Sequence, residues 1–242
     1  MKVKDKEVLA TKDVINNVDW KSRHKSNKPL VRRSKGVLTR EKILESAILE
    51  LSQSGIKGTT HRAIAHRAEL QLSLTTYYFR DIQELVHHAF MLNANKLLMD
   101  REVMFEKIFI LLNAFKKADL RKSVVKEILY LQLVDLFVDY IAHSASKLSE
   151  ASKVERLMFT ERQFCQKLDK VTKEYELSLL LPYKNLCFYF DKKNTGVNTY
   201  LLHSMISNIQ YSVCAQFKEK IDQDFINQNV KKILAIIMKI KH

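Results

Sequence analysis

Residues 39–90 read TREKILESAILELSQSGIKGTTHRAIAHRAELQLSLTTYYFRDIQELVHHAF. This stretch predicts three short helices and the start of a fourth. The first has an apolar stripe over residues 43–51 at helical spacing. Thr39 is a candidate N-cap for this helix, and Gly55 is the residue expected to end it. Thr60 then opens the second helix.

The second and third predicted helices are separated by four residues, 69–72. The third reads SLTTYYF at residues 73–79, and Asp81 with Glu84 forms a pattern that caps the helix after it. Two short helices joined by so brief a turn must cross steeply, which is typical of the helix-turn-helix. In that motif the second helix lies in the major groove of DNA.

The residues of this stretch resemble the N-terminal DNA-binding domain of the TetR family of bacterial repressors. The resemblance covers about 50 of the 242 residues. It is carried by Thr-Arg-x-x-Ile-Leu from residue 39, Gly55, Thr59-Thr60, Ile64-Ala65, Ala68, Thr75-Thr76-Tyr77-Tyr78-Phe79 and Leu85. The resemblance implies a dimeric regulator whose fourth helix connects the DNA-binding head to an effector-binding domain.

The chain departs from the family pattern at the turn and just after the third helix. The turn usually reads Ala-Gly-Val-Ser or Ala-Gly-Val-Pro, whereas residues 68–71 are Ala-Glu-Leu-Gln. Ser73 stands at the usual glycine, and Ile82 stands where the family commonly has a lysine that touches phosphate. These changes affect the phosphate contact at residue 82 rather than the fold.

The candidate DNA contacts fall into two groups, those that can reach base edges and those that can reach phosphates. Glutamine amides bond adenine edges, and methyl groups meet thymine, so the candidates for the groove are Gln71, Ser73, Leu74, Thr75 and Thr76. Contacts to phosphate fix the register without reading sequence, and the candidates are Arg40, Thr60, Tyr77, Tyr78 and Arg80. By analogy with the family, Phe79 packs in the core and one of the two tyrosines donates to phosphate.

Composition favours an all-α chain. Only 4 glycines and 2 prolines occur among 242 residues, and 46% of residues are hydrophobic, so turn residues for hairpins are lacking while a sizeable core can form. We expect an N-terminal three-helix helix-turn-helix domain and a C-terminal helical bundle for ligand binding and dimerisation. The predicted boundaries are a basic arm at 1–38, the DNA-binding domain at 39–85 and the bundle at 86–242.

The net charge of +14 is unevenly distributed. Residues 1–38 hold 11 basic and 4 acidic residues, while residues 39–85 hold 6 of each. A cationic arm ahead of a DNA-binding domain can follow phosphates or enter a minor groove. The alternative is a solvated tail with no specific role. The arm residues are Lys21, Arg23, Lys25, Lys28, Arg32, Arg33 and Lys35.

The predicted location is the cytoplasm. The first residues are charged and lack a secretory apolar run, and no apolar segment approaches the ~20 residues that span a bilayer. The cysteines Cys165, Cys187 and Cys214 are widely spaced, which favours buried thiols over disulfides or a zinc site. No nucleophile motif, phosphate loop or paired metal-ligand spacing occurs, so we expect neither an enzyme, nor a cofactor, nor a metal.

Beyond a predicted fourth helix at 82–99, the chain forms amphipathic segments. These are expected at 105–115, 124–144, 148–174 and 175–190, with Pro182 interrupting the last. Such helices stack into a bundle that can enclose a ligand. An aromatic lining would suit an apolar effector, although aromatics at helical spacing also form plain core. The candidate lining is Phe90, Phe105, Phe109, Tyr130, Phe137 and Phe164.

Near the C-terminus a heptad seam of isoleucines and valine follows another apolar helix. The family resemblance implies that the last helices of two subunits pack together, and the alternative is that the seam closes the monomer's own core. The candidate dimer residues are Leu201, Met205, Ile209, Ile226, Val230, Ile233 and Ile237.

The resulting prediction is a sequence-specific regulator, most often a repressor in this family. It would bind double-stranded DNA at a palindromic operator as a homodimer, under control of a small effector. One alternative is an architectural DNA-binding protein without an effector, which a steep salt dependence and a lack of sequence preference would indicate. An enzyme or a carrier of apolar molecules would require the helix-turn-helix match to be chance.

Overall fold

The computed structural model describes residues 35–161, 166–215 and 222–240. These residues contain helices and no strand, which confirms the all-α prediction. The helices are α1 (Lys35–Gly58), α2 (His61–Arg67), α3 (Leu72–Tyr78), α4 (Ile82–Ala114), α5 (Ser123–Lys147), α6 (Ser149–Glu161), α7 (Gln166–Phe190), α8 (Thr195–Cys214) and α9 (Gln223–Met238). A short 3-10 helix covers Asp119–Arg121.

The chain divides into two compact units, residues 1–39 and residues 40–242. Of the first unit, the structure describes residues 35–39, which are the first residues of α1. The second unit, residues 40–242, contains the remainder of α1 and all the other helices.

Helix α1 begins four residues earlier than Thr39, at Lys35. The Thr39 hydroxyl donates to the carbonyl of Lys35 at 2.9 Å, so Thr39 lies inside the helix and the N-cap prediction is wrong. Gly55 has φ 65° and ψ −175°. This is a left-handed φ that only glycine adopts without strain, and the regular helical path breaks at Gly55 as predicted.

Side-chain caps begin α2 and α4, two of the next three helices. Thr60 accepts from the backbone N–H of Ala63 at 3.1 Å and caps α2. Asp81 accepts from the N–H of Glu84 at 2.7 Å and caps α4. Glu84 accepts from the N–H of Arg80, the residue before the N-cap, at 3.0 Å, so the predicted cap by Asp81 is present.

Two hydrophobic clusters organise the second unit. The head core joins α1–α3 and the first turns of α4 with residues of α6 and α7, and includes Ile43, Ile64 and Phe79. The bundle core joins α4, α5, α7, α8 and α9, and includes Phe105 and Phe137. Helix α4 passes through both cores, so one rigid element connects the helix-turn-helix to the bundle.

The prediction that the fourth helix ends near residue 99 is wrong, because α4 is 33 residues long and ends at Ala114. Arg101, just beyond the predicted end, is buried. Buried residues continue beyond it at helical spacing, including Met104, Phe105 and Ile108.

Two further boundaries differ from the sequence prediction. The predicted segment 148–174 contains the end of α6 at Glu161 and the start of α7 at Gln166. Pro182 lies inside α7, which extends to Phe190. The proline therefore does not end the helix.

The heptad seam of α9 closes the chain's own bundle. Ile226, Val230, Ile233 and Ile237 are buried in the bundle core of a single chain. Helix α9 is held to α5 by Tyr130, whose hydroxyl donates to the carbonyl of Lys231 at 3.0 Å. These four residues are therefore not exposed to a second subunit, which corrects their assignment to a dimer interface.

Candidate functional site

The outer face of α3 carries mostly polar side chains. Ser73, Thr76 and Tyr77 are exposed, while Leu74 and Tyr78 are half-buried. An α-helix with a free outer face is what major-groove recognition requires.

Thr75 lies on the opposite side of α3 and is fully buried. Its hydroxyl donates to the carbonyl of Leu72 at 2.8 Å. Phe79, four residues later, is also buried in the head core. Residues four apart share a helix face, so Thr75 packs with the core and is removed from the candidate groove contacts.

Gln71 and Leu72 stand at the start of α3. Gln71 is the exposed N-cap residue, and its side chain makes no capping bond. Leu72 is 43% exposed and was not among the residues predicted from the sequence. It was missed because the third helix was expected to start at Ser73, one residue later than it does.

Tyr77 is the most exposed large side chain of the reading helix, at 80%. Its ring meets the ring of Tyr78 edge to face, with centroids 5.2 Å apart. The Tyr78 ring packs against the head core, and its contact holds the Tyr77 ring in place. A tyrosine held in this way keeps its hydroxyl in solvent, where it can donate to a phosphate.

Three other predicted contacts surround α3 or α2. The guanidinium of Arg40 lies 4.9 Å from the centroid of the Phe79 ring, a cation–π contact beneath the end of α3. Thr60 and Arg80 are exposed. Among the arm residues, Lys35 is exposed in α1, while Lys21, Arg23, Lys25, Lys28, Arg32 and Arg33 lie outside the described residues.

Arg67, on α2, has a structural role. Its Nε lies 2.8 Å from Glu50 Oε2, and its Nη2 donates to Gln53 at 2.7 Å. A hydrogen bond from Ser54 lowers the pKa of Glu50, and the bond and charge of Arg67 lower it further against the effect of burial. Arg67 therefore fastens α2 to α1, while Arg62 and His66 remain exposed.

The predicted aromatic lining does not form one wall. Phe90 is in the head core, whereas Phe105, Tyr130 and Phe137 are in the bundle core. Phe109 is partly buried against the bundle core, and Phe164 lies outside the described residues. The Phe105 and Phe137 rings meet Tyr183, with centroids 4.8 and 6.5 Å from it.

At the boundary of the two cores lies a polar centre, which we define as Arg101, Glu155, Tyr175 and Tyr211. Arg101 Nη2 donates to Glu155 Oε2 at 2.8 Å, and Arg101 Nη1 donates to the Tyr175 hydroxyl at 2.9 Å. Both tyrosine hydroxyls donate to the carboxylate, with Tyr211 at 3.0 Å. The four residues come from α4, α6, α7 and α8, so the centre ties four helices together.

The pKa of Glu155 is set by burial and by its charged and hydrogen-bonded neighbours. Burial raises the pKa of Glu155, but the charge of Arg101 and the three donated hydrogen bonds outweigh it, so the pKa lies below its usual value. Sequence reasoning missed the centre. The available signal was that Arg101 stands in helical register with the apolar residues Leu97 and Ile108.

Helices α7 and α8 carry exposed large apolar side chains. They are Leu177, Phe188, Val197, Tyr200 and Leu201. Of the dimer residues predicted on α8, Leu201 is exposed, Met205 is half-buried and Ile209 is buried. No helix among the described residues is long and apolar enough to cross a membrane.

Taken together, α1–α3 form a helix-turn-helix head and α4–α9 form a helical domain behind it, the architecture of a helix-turn-helix regulator. No protein-family model matches the chain. The HTH-type transcriptional regulator YttP of Bacillus subtilis is 38% identical over 52 residues. That match covers 22% of this chain and only 25% of YttP.

Solved structures share the fold along most of the chain. A TetR-family transcriptional regulator from Mesorhizobium loti has a TM-score of 0.63 and 13% identity, covering 86% of this chain and 98% of its own. The fatty acid degradation regulator FadR of Bacillus halodurans has a TM-score of 0.55 and 13% identity, covering 84% and 97%. The predicted TetR-type fold is therefore confirmed.

Proposed function

We propose that the protein is a transcriptional repressor that binds a palindromic operator as a homodimer and is controlled by a small effector with a mainly apolar body. The observation that carries the proposal is the free polar face of α3 in a helix-turn-helix head. The regulator names of YttP and of the solved structures with this fold support it. It would act in the cytoplasm.

The reading surface consists of Gln71, Ser73, Leu74 and Thr76, with Leu72 added from its exposure. The Gln71 amide has both a donor and an acceptor and can bond adenine in the major groove. Tyr77, Tyr78, Arg40, Thr60 and Arg80 would contact phosphates. The arm at residues 1–38 would add salt-dependent affinity.

Dimerisation through the exposed apolar surface of α7 and α8 would produce the symmetry of the operator. Contiguous exposed apolar surface commonly marks a protein–protein interface. A two-fold axis relates two copies of α3, so the two half-sites must be inverted repeats. This surface replaces the α9 seam as the candidate interface, with Leu201 common to both.

Coupling between effector and DNA would run through α4 and α6. Helix α4 passes through both cores. Helix α6 places Val154 and Met158 in the head core, while its neighbouring residue Glu155 belongs to the polar centre. An effector that repacks the bundle side of these helices would shift the head without touching it, because packed helices move as units.

The test is selection of bound fragments from the organism's own DNA by the purified full-length protein, repeated with residues 1–34 deleted. We expect both proteins to select one palindrome, and the deletion to weaken binding and reduce its salt dependence. Transcription from a promoter carrying that palindrome should fall when the protein is added.

Two results would count against this function. Recovery of fragments without a shared motif would favour the architectural alternative. Activation of the promoter would contradict the repressor role while leaving operator recognition intact. Tyr189→Phe, on α7 away from the reading helix, is the matched control for variants of Tyr77.

A further inference from the structure

Two buried hydroxyls on α5 lie beside the polar centre without hydrogen-bond partners. Tyr140 and Ser144 are one helical turn apart, and the side chains of both are buried. Neither the Tyr140 Oη nor the Ser144 Oγ has a partner at good hydrogen-bonding geometry among the described residues. The two hydroxyls are near enough for Ser144 to lower the pKa of Tyr140, but they do not form a well-aligned hydrogen bond with each other. Buried polar groups normally find a partner, so these two hydroxyls can hold a molecule that supplies one.

The surroundings of Tyr140 place it close to the charges of the polar centre. Burial raises the pKa of Tyr140, while the nearby Arg101 cation and the Ser144 hydroxyl act against that rise and Glu155 adds to it. Burial also raises the pKa of Tyr183, and Tyr140 contributes to the same effect. Tyr140 is therefore close enough to Arg101, Glu155 and Tyr183 to interact with them electrostatically, and the Tyr183 ring packs beside Phe105.

Three charges act on Tyr140: Arg101, Glu155 and Asp100. Arg101 and Glu155 cancel, and the Glu155 carboxylate accepts from Arg101, Tyr175 and Tyr211. Asp100 Oδ1 lies 3.2 Å from His143 Nε2, which is its own partner. A charged ligand would leave an uncompensated charge in the interior, which is strongly unfavourable. A neutral ligand has no such cost.

The unpartnered groups also specify the ligand's polar atom. Each hydroxyl can donate one hydrogen bond, and a carbonyl oxygen has two lone pairs that can accept both. The rings of Phe105, Phe137 and Tyr183 contact one another nearby and suit an apolar or aromatic body.

We infer that the effector is an uncharged compound with a carbonyl-type oxygen that accepts from Tyr140 and Ser144, and with an aromatic or apolar body that packs toward Tyr183. This inference rests on the proposed effector-controlled function and names the chemical class of that effector. It narrows the apolar effector expected from the sequence to one with a neutral polar head.

The experiment uses the full-length protein and four probes of similar size: acetophenone, benzoate, benzylamine and ethylbenzene. Dissociation constants are measured by calorimetry or ligand-observed NMR. Acetophenone should bind most tightly, with the two ions at least about tenfold weaker because of the balanced interior charge. Tyr140→Phe and Ser144→Ala should each weaken acetophenone about fivefold and leave ethylbenzene unchanged.

Tyr189→Phe is the matched control. Its hydroxyl donates to the carbonyl of Leu112 at 3.2 Å, away from the two hydroxyls of α5, so the variant should bind acetophenone as the wild type does. Circular dichroism of each variant checks folding, and Ser144→Ala, which removes a single oxygen, carries the test if Tyr140→Phe unfolds.

Tighter binding of benzoate or benzylamine than of acetophenone would overturn the inference. So would an equal loss in Tyr189→Phe, or no binding of acetophenone, which would leave the hydroxyls to water. Fragment selection without probes tests the proposed function separately. If acetophenone binds as expected but no palindrome is selected, the regulatory function is refuted and the ligand site stands. If a palindrome is selected but the probes do not bind in the expected order, the ligand site is refuted and the regulatory function stands.

Discussion

Arg101 on α4 and Glu155 on α6 form an ion pair at 2.8 Å in which only 5% and 1% of the side chains are exposed. A buried pair adds little net stability by itself, because desolvation offsets its attraction. Breaking it is different, because one charge is then left buried and unpaired. Arg101→Met should therefore lower the free energy of unfolding by about 3–5 kcal/mol, measured by urea denaturation.

The double variant Arg101→Met with Glu155→Leu provides the check on this reasoning. It removes both charges, so it should recover a large part of the lost stability. Additive losses in the double variant would show that packing rather than the unpaired charge causes the effect.

Glu69 occupies the helix-turn-helix turn with φ +52°. The left-handed conformation costs a non-glycine residue about 1–2 kcal/mol, and the resembled family usually has glycine at this position. Glu69→Gly should stabilise the protein by about 0.5–1 kcal/mol after the greater flexibility of unfolded glycine is deducted. Glu69→Gln removes the charge but keeps the strained φ, and an equal gain from it in thermal unfolding would contradict this explanation.

Tyr77 and Gln71 should affect DNA binding in different ways. Tyr77→Phe is expected to weaken binding by about 1 kcal/mol on operator and scrambled DNA alike, because a phosphate contact reads no sequence. Gln71→Ala should cost about 1–3 kcal/mol on the operator only. Fluorescence anisotropy with both DNAs measures the difference. Thr75→Ser, at a buried position, should leave specificity unchanged, and a change would return Thr75 to the reading surface.

Val197 and Ile110 are matched apolar residues, exposed by 73% and 72%. Val197 is on α8 within the proposed interface, whereas Ile110 is on α4 outside it. Val197→Glu should convert the dimer to a monomer, because a charge buried at an apolar interface lacks a partner. Light scattering after size-exclusion chromatography measures the mass. Loss of the dimer in Ile110→Glu instead would move the interface to α4.

His203 should make stability depend on pH below neutrality. Burial lowers its pKa from 6.5, and the charge of Arg101 adds to this effect. The unfolded chain therefore binds a proton that the folded chain resists, so this contribution to stability is complete above pH 6.5 and is lost as pH falls through the folded pKa. The urea midpoint should fall from pH 7.5 towards pH 5, and less steeply in His203→Gln. An unchanged slope in that variant would exclude His203, and His66→Gln on the surface is the control.

The helix-turn-helix could be predicted from the sequence because its signals are local. Gly55 breaks the helical path, Thr60 caps α2 through a residue three positions away, and Asp81 caps α4 in the same way. Hydrogen bonds between such close neighbours can be read from the local sequence because both partners lie within a few residues. The apolar periodicity of α1 likewise specifies which face packs inward.

Positions whose role depends on distant neighbours were decided by the tertiary structure. Thr75 was read as a groove contact but packs inward with the face of Phe79, and the regular seam of α9 suits a second subunit as well as it suits α5 of its own chain. The buried role of Arg101 was missed because its partner, Glu155, is 54 residues away. Periodicity determines which residues share a helix face, but only the packing of the whole chain determines what that face meets.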